Sequence, residues 1–268
     1  MKSFLVGALS SFLFASGALS ADLYSAPPIE PVPSQIVEKR WKFVVAPYLI
    51  APTIQGHTEI GRLPATELDV SPSNIFKNLK FGGMGHFEVL FDDRFGAVFD
   101  IAYMDLGDDR TFPAVGGSVN AGFKQLISEL FFGYRFYRSE RAWAEAYAGA
   151  RVWYNQINVS ASVPGNSFST TLDEAWADPV IGLRGQVFLN DKWSLYGTGN
   201  IGGFDFGFAS DFTWGVQGGV GYHFNDRVAL QLHYKATAVN FDNDKSGIRN
   251  FQYDTITHGP LVGLAFSF

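Results

Sequence analysis

The sequence predicts an all-β chain: a single antiparallel, up-and-down transmembrane β-barrel of ten strands, with eight or twelve as alternatives. Three observations predict it. From Trp41 onward, segments of ten to twenty residues alternate apolar and polar side chains with a period of two. Very short polar gaps take turns with long ones along the chain. The composition is also short of polar surface, because 17% of residues are charged and 16% are aromatic. Soluble domains carry roughly 25% charged residues, so this chain suits an exterior that meets lipid.

The strands are expected near 41–52, 81–91, 95–106, 121–137, 141–159, 174–189, 193–204, 211–224, 228–241 and 251–268. Four short gaps separate them at one end: Asp92-Asp93-Arg94, Arg138-Ser139-Glu140, Asn190-Asp191-Lys192 and Asn225-Asp226-Arg227. Each is polar between apolar neighbours, as a three-residue hairpin loop is. The long gaps fall near 53–79, 107–120, 160–173, 205–210 and 242–250. Within the first, Ser71 or Ser73 caps a predicted two-turn helix over Ser71–Leu79 that presents Ile75, Phe76 and Leu79. Residues 53–70 form either a loop or an extra hairpin that would raise the count to twelve.

Alternation assigns the two faces. Phe81, Phe87, Val89 and Phe91 oppose Met84, His86 and Glu88. Ala142, Ala144, Ala146, Ala148, Val152 and Tyr154 oppose Glu145, Tyr147, Arg151 and Trp153. Ile181, Leu183, Val187 and Leu189 oppose Asp178, Arg184 and Gln186, and Val228, Leu230, Leu232 and Tyr234 oppose Gln231, His233 and Lys235. A lipid-facing Arg or Lys at the midplane costs about 2–4 kcal/mol. No charge falls on the apolar face within the span; Asp105, Lys124 and Asp254 do so only near the outer ends.

The polar face gives the candidate site, a lumen network of His86, Glu88, Asp100, Glu129, Arg135, Glu145, Arg151, Asp178, Arg184, His233 and Lys235, with Lys42 nearby. Register places His86 opposite Asp100 and Glu129 diagonal to Arg151, within side-chain reach. The interior acids and bases number five of each sign, which favours a filled, hydrogen-bonded core over an ion-selective channel. Tyr147, Trp153, Trp176, Tyr196 and Phe188 would take much of the bore. Pro47, Pro179 and Pro260 mark expected bulges. Aromatic girdles are expected from Trp41, Phe95, Phe136, Trp193, Tyr222 and Phe266 at one rim and Tyr103, Tyr154 and Trp214 at the other.

Apparent chemical motifs do not hold. Gly197-Thr198-Gly199-Asn200-Ile201-Gly202 matches a dinucleotide fingerprint, but strand follows it where a helix is required. Asp205-Phe206-Gly207 copies a kinase triplet without its companions. The five histidines lack metal-ligand spacing, and the chain has no cysteine. His86–Asp100 resembles an acid–base dyad, but a structural ion pair is the plainer reading. No enzyme activity, cofactor or metal is expected.

Residues 1–21 read as a secretory signal: Lys2, an apolar core over Phe4–Phe14, then Ala18-Leu19-Ser20-Ala21. Its removal takes away one lysine and no acid, so the charge moves from −6 to −7. That mild acidity argues against nucleic acid as a partner. Residues 22–40 hold Pro27, Pro28, Pro31 and Pro33 and read as an extended periplasmic linker. Residues 41–268 are the barrel. Its last strand sets Val262, Leu264, Phe266 and Phe268 on one face, resembling the C-terminal signal recognised by the barrel assembly machinery. Export plus barrel implies a bacterial outer-membrane protein, with lipid and lipopolysaccharide around it and both termini periplasmic.

Several segments carry a resemblance. They are Trp41-Lys42-Phe43 with Pro47-Tyr48-Leu49, Ala177-Asp178-Pro179-Val180-Ile181-Gly182, and Asp191-Lys192-Trp193-Ser194-Leu195 with Gly202-Gly203-Phe204. Gly219-Val220-Gly221-Tyr222 and His258-Gly259-Pro260 follow. Together they resemble proteobacterial, especially alphaproteobacterial, outer-membrane barrels of the OmpA-like and small porin-like group. The resemblance implies the fold and location and transfers no functional residue. The functional expectation is a structural or limited porin-like solute-passage role. The alternatives are a surface enzyme acting on lipid A or peptide, or an interaction protein using its outer loops.

Overall fold

The computed structural model describes residues 40–62, 64–112 and 117–268. The expected signal peptide and nearly all of the Pro-rich linker lie outside the described residues. Twelve strands follow in chain order. They are β1 (Trp41–Ile50), β2 (Thr53–Ile60), β3 (Thr66–Val70), β4 (Leu79–Phe91), β5 (Phe95–Phe112) and β6 (Gly117–Arg138). β7 (Ala142–Val163), β8 (Asn166–Phe188), β9 (Trp193–Gly203), β10 (Phe212–Asn225), β11 (Val228–Asp242) and β12 (Phe251–Ser267) complete the set. Ten of them close a barrel, in which β1 pairs with β4 on one side and with β12 on the other. Closure leaves no free edge in the membrane-spanning wall, the condition for a sheet in hydrocarbon.

β2 and β3 stand outside that count. β1 covers Leu261–Ile50 and neighbouring pairs on β12, and the chain resumes after Pro52 as β2 along Phe251–His258 of the same strand. β3 folds back on β2. The hairpin expected as one alternative for 53–70 therefore exists, but it extends the sheet at the rim and does not widen the barrel. Helix α1 (Pro72–Asn78) follows, with Ser71 as its N-cap and Ile75 buried.

The short turns form through local side-chain chemistry. Asp92 and Asp93 adopt φ of 51° and 53°, a conformation that Asp tolerates better than most residues. Asn190 Oδ1 accepts from the backbone N–H groups of Lys192 and Trp193 at 2.9 and 3.0 Å. Asn225 Oδ1 does the same for Arg227 and Val228. These Asx turns reproduce a backbone turn at low cost. Ser139 Oγ accepts from Ala142 N–H at 3.0 Å.

Three expectations need correction. The stretches 107–120 and 160–173 are not simple outer loops. β5 and β6 stay paired to Phe112↔Gly117, and β7 and β8 to Val163↔Asn166, so β5–β8 rise as a tall sheet. Their sequence is polar on both faces there, so no alternation announces it. Glu129 lies directly opposite Arg151, not diagonal to it, because the β6–β7 ladder slips by one residue between Arg135 and Tyr137. Other register shifts fall between Leu79 and Phe81 and between His223 and Asn225, and none falls at Pro47, Pro179 or Pro260. Two of these prolines instead mark where pairing stops: β1 leaves β4 after Pro47, and β8 meets β9 only from Val180.

Candidate functional site in the barrel lumen

Pleating sends alternate residues inward, and exposure separates the faces. Phe87, Phe132, Leu183, Leu232 and Val262 lie exposed on the outside, whereas Glu145, Arg151 and Asp178 are almost fully enclosed. The outer set is an apolar belt that only a hydrocarbon surrounding would satisfy. The lumen is organised in levels from the short-turn end upward.

The lowest level is a cavity of about 560 Å³. Rim residues Lys42, Asp93, Asp226, Arg227 and Phe268 line its mouth, and its lining stops at the height of Arg151, Asn200 and Thr237. One wall is an ion-pair lattice. Arg184 Nε donates to Glu145 at 2.8 Å, and both of its Nη groups donate to Glu88 at 3.1 and 3.0 Å. Arg135 also spans Glu145 and Glu88, at 3.3 and 3.0 Å, with its guanidinium 4.1 Å from the Trp143 ring centre. β4, β6, β7 and β8 thus meet through four side chains. Bidentate and shared geometries of this kind make a desolvated arginine tolerable.

Above it, His86 Nδ1 lies 3.2 Å from Asp100, whose other oxygen accepts from Tyr48 Oη at 2.7 Å. Lys235 reaches from β11 to within 3.8 Å of Asp100 and 4.0 Å of Glu129. Arg151 Nε donates to Glu129 at 2.6 Å, and its Nη groups donate to Thr213 and Asn200 at 3.0 and 2.9 Å. The His86–Asp100 pair is tied into this lattice, with Glu88 on the other side of the imidazole 3.8 Å from Nε2.

The upper level is apolar. Trp153, Trp176, Val239, Phe241, Phe251 and Tyr253 form one buried cluster across the bore. Gln125 Nε2 donates to Asn155 Oδ1 and Tyr253 Oη at 3.0 and 3.1 Å, tying β6 and β7 to β12. Ile54, Ile75 and Met104 fill the space beside α1. Asp178 belongs to this level and not to the lattice. It accepts from Trp153 Nε1 at 2.9 Å and from Ser210 N–H and Oγ at 2.7 Å each, pinning the β9–β10 loop.

Of the sequence-predicted residues, His86, Glu88, Asp100, Glu129, Arg135, Glu145, Arg151, Arg184 and Lys235 come together in the lattice. His233 sits apart, its ring stacked on Tyr196 with 5.3 Å between centres and bonded to Gln217 at 2.8 Å. Tyr48, Trp143, Asn200 and Thr213 were missed as members. Each has lumen parity, but contacts across the bore cannot be read from strand-by-strand alternation. At the C-terminus, Phe43 and Phe268 exchange backbone hydrogen bonds of 3.0 and 3.4 Å, while Val262 and Leu264 face outward.

No family model matches the sequence, and no curated protein matches it. Among solved structures, the chain is similar to the outer membrane protease OmpT from Escherichia coli: TM-score 0.53, 9% identity, with 85% of this chain and 97% of that one covered. The fold is that of the bacterial outer-membrane barrels. Ail, the attachment invasion locus protein of Yersinia pestis, matches at TM-score 0.35 and 9% identity over 86% of this chain and 99% of that one. Neisserial surface protein A matches at 0.29 and 13% over 85% and 97%. At such identities the likeness is one of fold, and no activity follows from it.

Proposed function

We propose that this chain is an integral outer-membrane β-barrel with a structural role, closed to free diffusion. The short turns and Phe268 face the periplasm in this reading, and the tall β5–β8 sheet points outward, following the short-periplasmic, long-external pattern of such barrels. The OmpA-like and small porin-like grouping belongs to the same reading. Lipid and lipopolysaccharide contact the belt, and the assembly machinery recognises the strand ending Val262, Leu264, Phe266 and Phe268.

One observation carries the closed-barrel reading: the aromatic cluster around Trp176 fills the bore above Arg151. A diffusion pore needs a continuous polar path, and stacked rings from β7, β8, β11 and β12 interrupt it. Refolded protein in a planar bilayer is expected to be silent, with folding verified by the mobility of unheated samples in gels. Stable unitary conductance from verified folded protein would overturn this reading in favour of limited solute passage.

A further inference from the structure

We propose that the lower lumen cavity is a binding site for a neutral saccharide, admitted at the short-turn end. The cavity is blind, and its volume of about 560 Å³ falls within the range of small-molecule sites. Its shape has a sequence cause. On the inner face of β11, Gln231 stands between Gly221 and Gly263, and His233 lies beside Gly219. Of these glycines Gly221 lines the cavity and places no side chain beside Gln231, whereas a Cβ on Gly219 would strike the β11 backbone and one on Gly263 would press on Tyr48, so those two serve close strand packing.

The two walls differ in chemistry. The guanidiniums of Arg135, Arg151 and Arg184 are engaged by carboxylates, hydroxyl or amide groups of the barrel, as described above. The charges lining the cavity are six of each sign. A charged ligand seated against the Glu88–Arg135–Glu145–Arg184 lattice or the Glu129–Arg151 pair would have to break an existing pair, at the desolvation cost of the partner left behind. The β9–β11 wall keeps uncommitted hydrogen-bonding capacity. Gln231 has no hydrogen-bond partner among the described residues, and Nε2 of His233 and Oε1 of Gln217 are also unbonded. Lys235 makes only long ion pairs, so its ammonium still has donors to offer.

Amide, imidazole and ammonium groups supply mixed donors and acceptors, which suit hydroxyl and acetamido groups that both give and accept. Tyr196, Phe188 and Trp143 add aromatic surface to the same cavity for the C–H face of a sugar ring. A neutral, hydroxyl-rich, ring-shaped ligand answers both walls at once. The compartment that supplies it rests on the orientation proposed above; the site itself does not.

The test uses the refolded full-length barrel in phosphocholine micelles, since alkyl maltosides would compete. Maltose and N,N′-diacetylchitobiose are titrated by calorimetry and by saturation-transfer NMR, with citrate as a charged control. Saturable binding of either sugar is expected, and preference for the acetamido sugar assigns a wall-type glycan over a plain oligosaccharide. Gln231→Leu and His233→Leu should each weaken binding by about tenfold or more. Should a variant misfold, intermolecular NOEs from sugar protons to the Tyr196 and Trp143 rings in the wild type decide the matter. Absence of sugar binding, citrate binding equally well, unchanged affinity in folded variants, or absent NOEs would each overturn the site. A conducting barrel that still binds sugar would refute the closed-bore reading alone.

Discussion

Trp176 lies flat on Phe241, with ring centres 4.0 Å apart and planes 6° from parallel. Trp153 stacks on its other neighbour side at 5.6 Å and 11°. The three rings come from β7, β8 and β11, so the stack braces opposite walls, and on the closed-barrel reading proposed above it is also the seal. Truncating either central ring should cost about 3–5 kcal/mol, the usual range for a buried aromatic. The double variant Trp176→Ala/Phe241→Ala should also conduct in a planar bilayer where the wild type is silent. A folded double variant that stays silent would move the seal elsewhere, to the Ile54–Ile75–Met104 cluster.

The ion-pair lattice separates buried from exposed electrostatics within one molecule. Arg184→Met leaves Glu88 and Glu145 enclosed without their main counterion, and breaking such a pair costs about 3–5 kcal/mol. Arg40–Asp92, at 2.8 Å, is equally well formed but open to solvent. Arg40→Ala should leave the urea midpoint unchanged. Equal effects from the two variants would mean that the lumen is far wetter than its packing indicates.

Why the first of these features was legible only in part follows from geometry. Alternation told Phe87 from His86, and a three-residue turn at Asp92 set His86 opposite Asp100, as the β4–β5 ladder has it. It also marked Trp153 and Trp176 as inward. Their stacking on Phe241 needs the curvature of the closed barrel, which no local pattern encodes. The slip at Phe136 moved Glu129 from diagonal to opposite Arg151, because a bulge depends on tertiary closure as much as on sequence. The tall β5–β8 sheet was hidden for a simpler reason. Strands that leave the membrane have no apolar face to declare.

Two glycines of the wall should behave in opposite ways. A Cβ on Gly149 would land on the Leu130 carbonyl oxygen and press on Phe131 Cα of the neighbouring strand, backbone atoms that cannot swing aside. At Gly197 a Cβ would meet nothing within 4 Å. Gly149→Ala should abolish or sharply reduce refolding yield, whereas Gly197→Ala should refold normally and gain up to about 1 kcal/mol from a stiffer unfolded chain. Urea titration of both, beside the wild type, checks the contrast.

Asp211 provides a pH test at the rim opposite the short turns. Desolvation and the charges of Asp205, Asp242 and Asp244 raise its pKa above the ordinary carboxylate value. The folded state therefore holds this proton more tightly than the unfolded chain does. At neutral pH the ionised group is a penalty on folding, and acidification relieves it as pH falls through the raised value. Below the ordinary value both states are protonated and no further gain follows. Asp211→Asn should thus be more stable than wild type at neutral pH, with the difference vanishing on acidification. A constant difference across that window would rule out titration of Asp211 as its source.

The loop between β9 and β10 carries Phe204, Phe206 and Phe208, which are 39%, 59% and 64% exposed. Its height is fixed by a backbone contact: Ala177 N–H donates to the Phe208 carbonyl at 3.5 Å, and Ala177 pairs with Val152, a residue of the outer apolar face. The loop therefore sits at the upper edge of the belt, where hydrocarbon gives way to headgroups and water. Positive φ at Phe204, Asp205 and Gly207 shapes it, and the Asp178–Ser210 bonds hold it in place. Three exposed phenyl rings at that height would be costly in water and favourable in acyl chain, so they complete the belt where β9 ends. Phe206→Trp, made in a background with Trp41, Trp193 and Trp214 replaced by Phe, should be strongly quenched by lipids brominated on their acyl chains. Soluble acrylamide should quench it weakly. Strong acrylamide quenching with weak bromolipid quenching would place the loop in water and leave its three phenylalanines without a role.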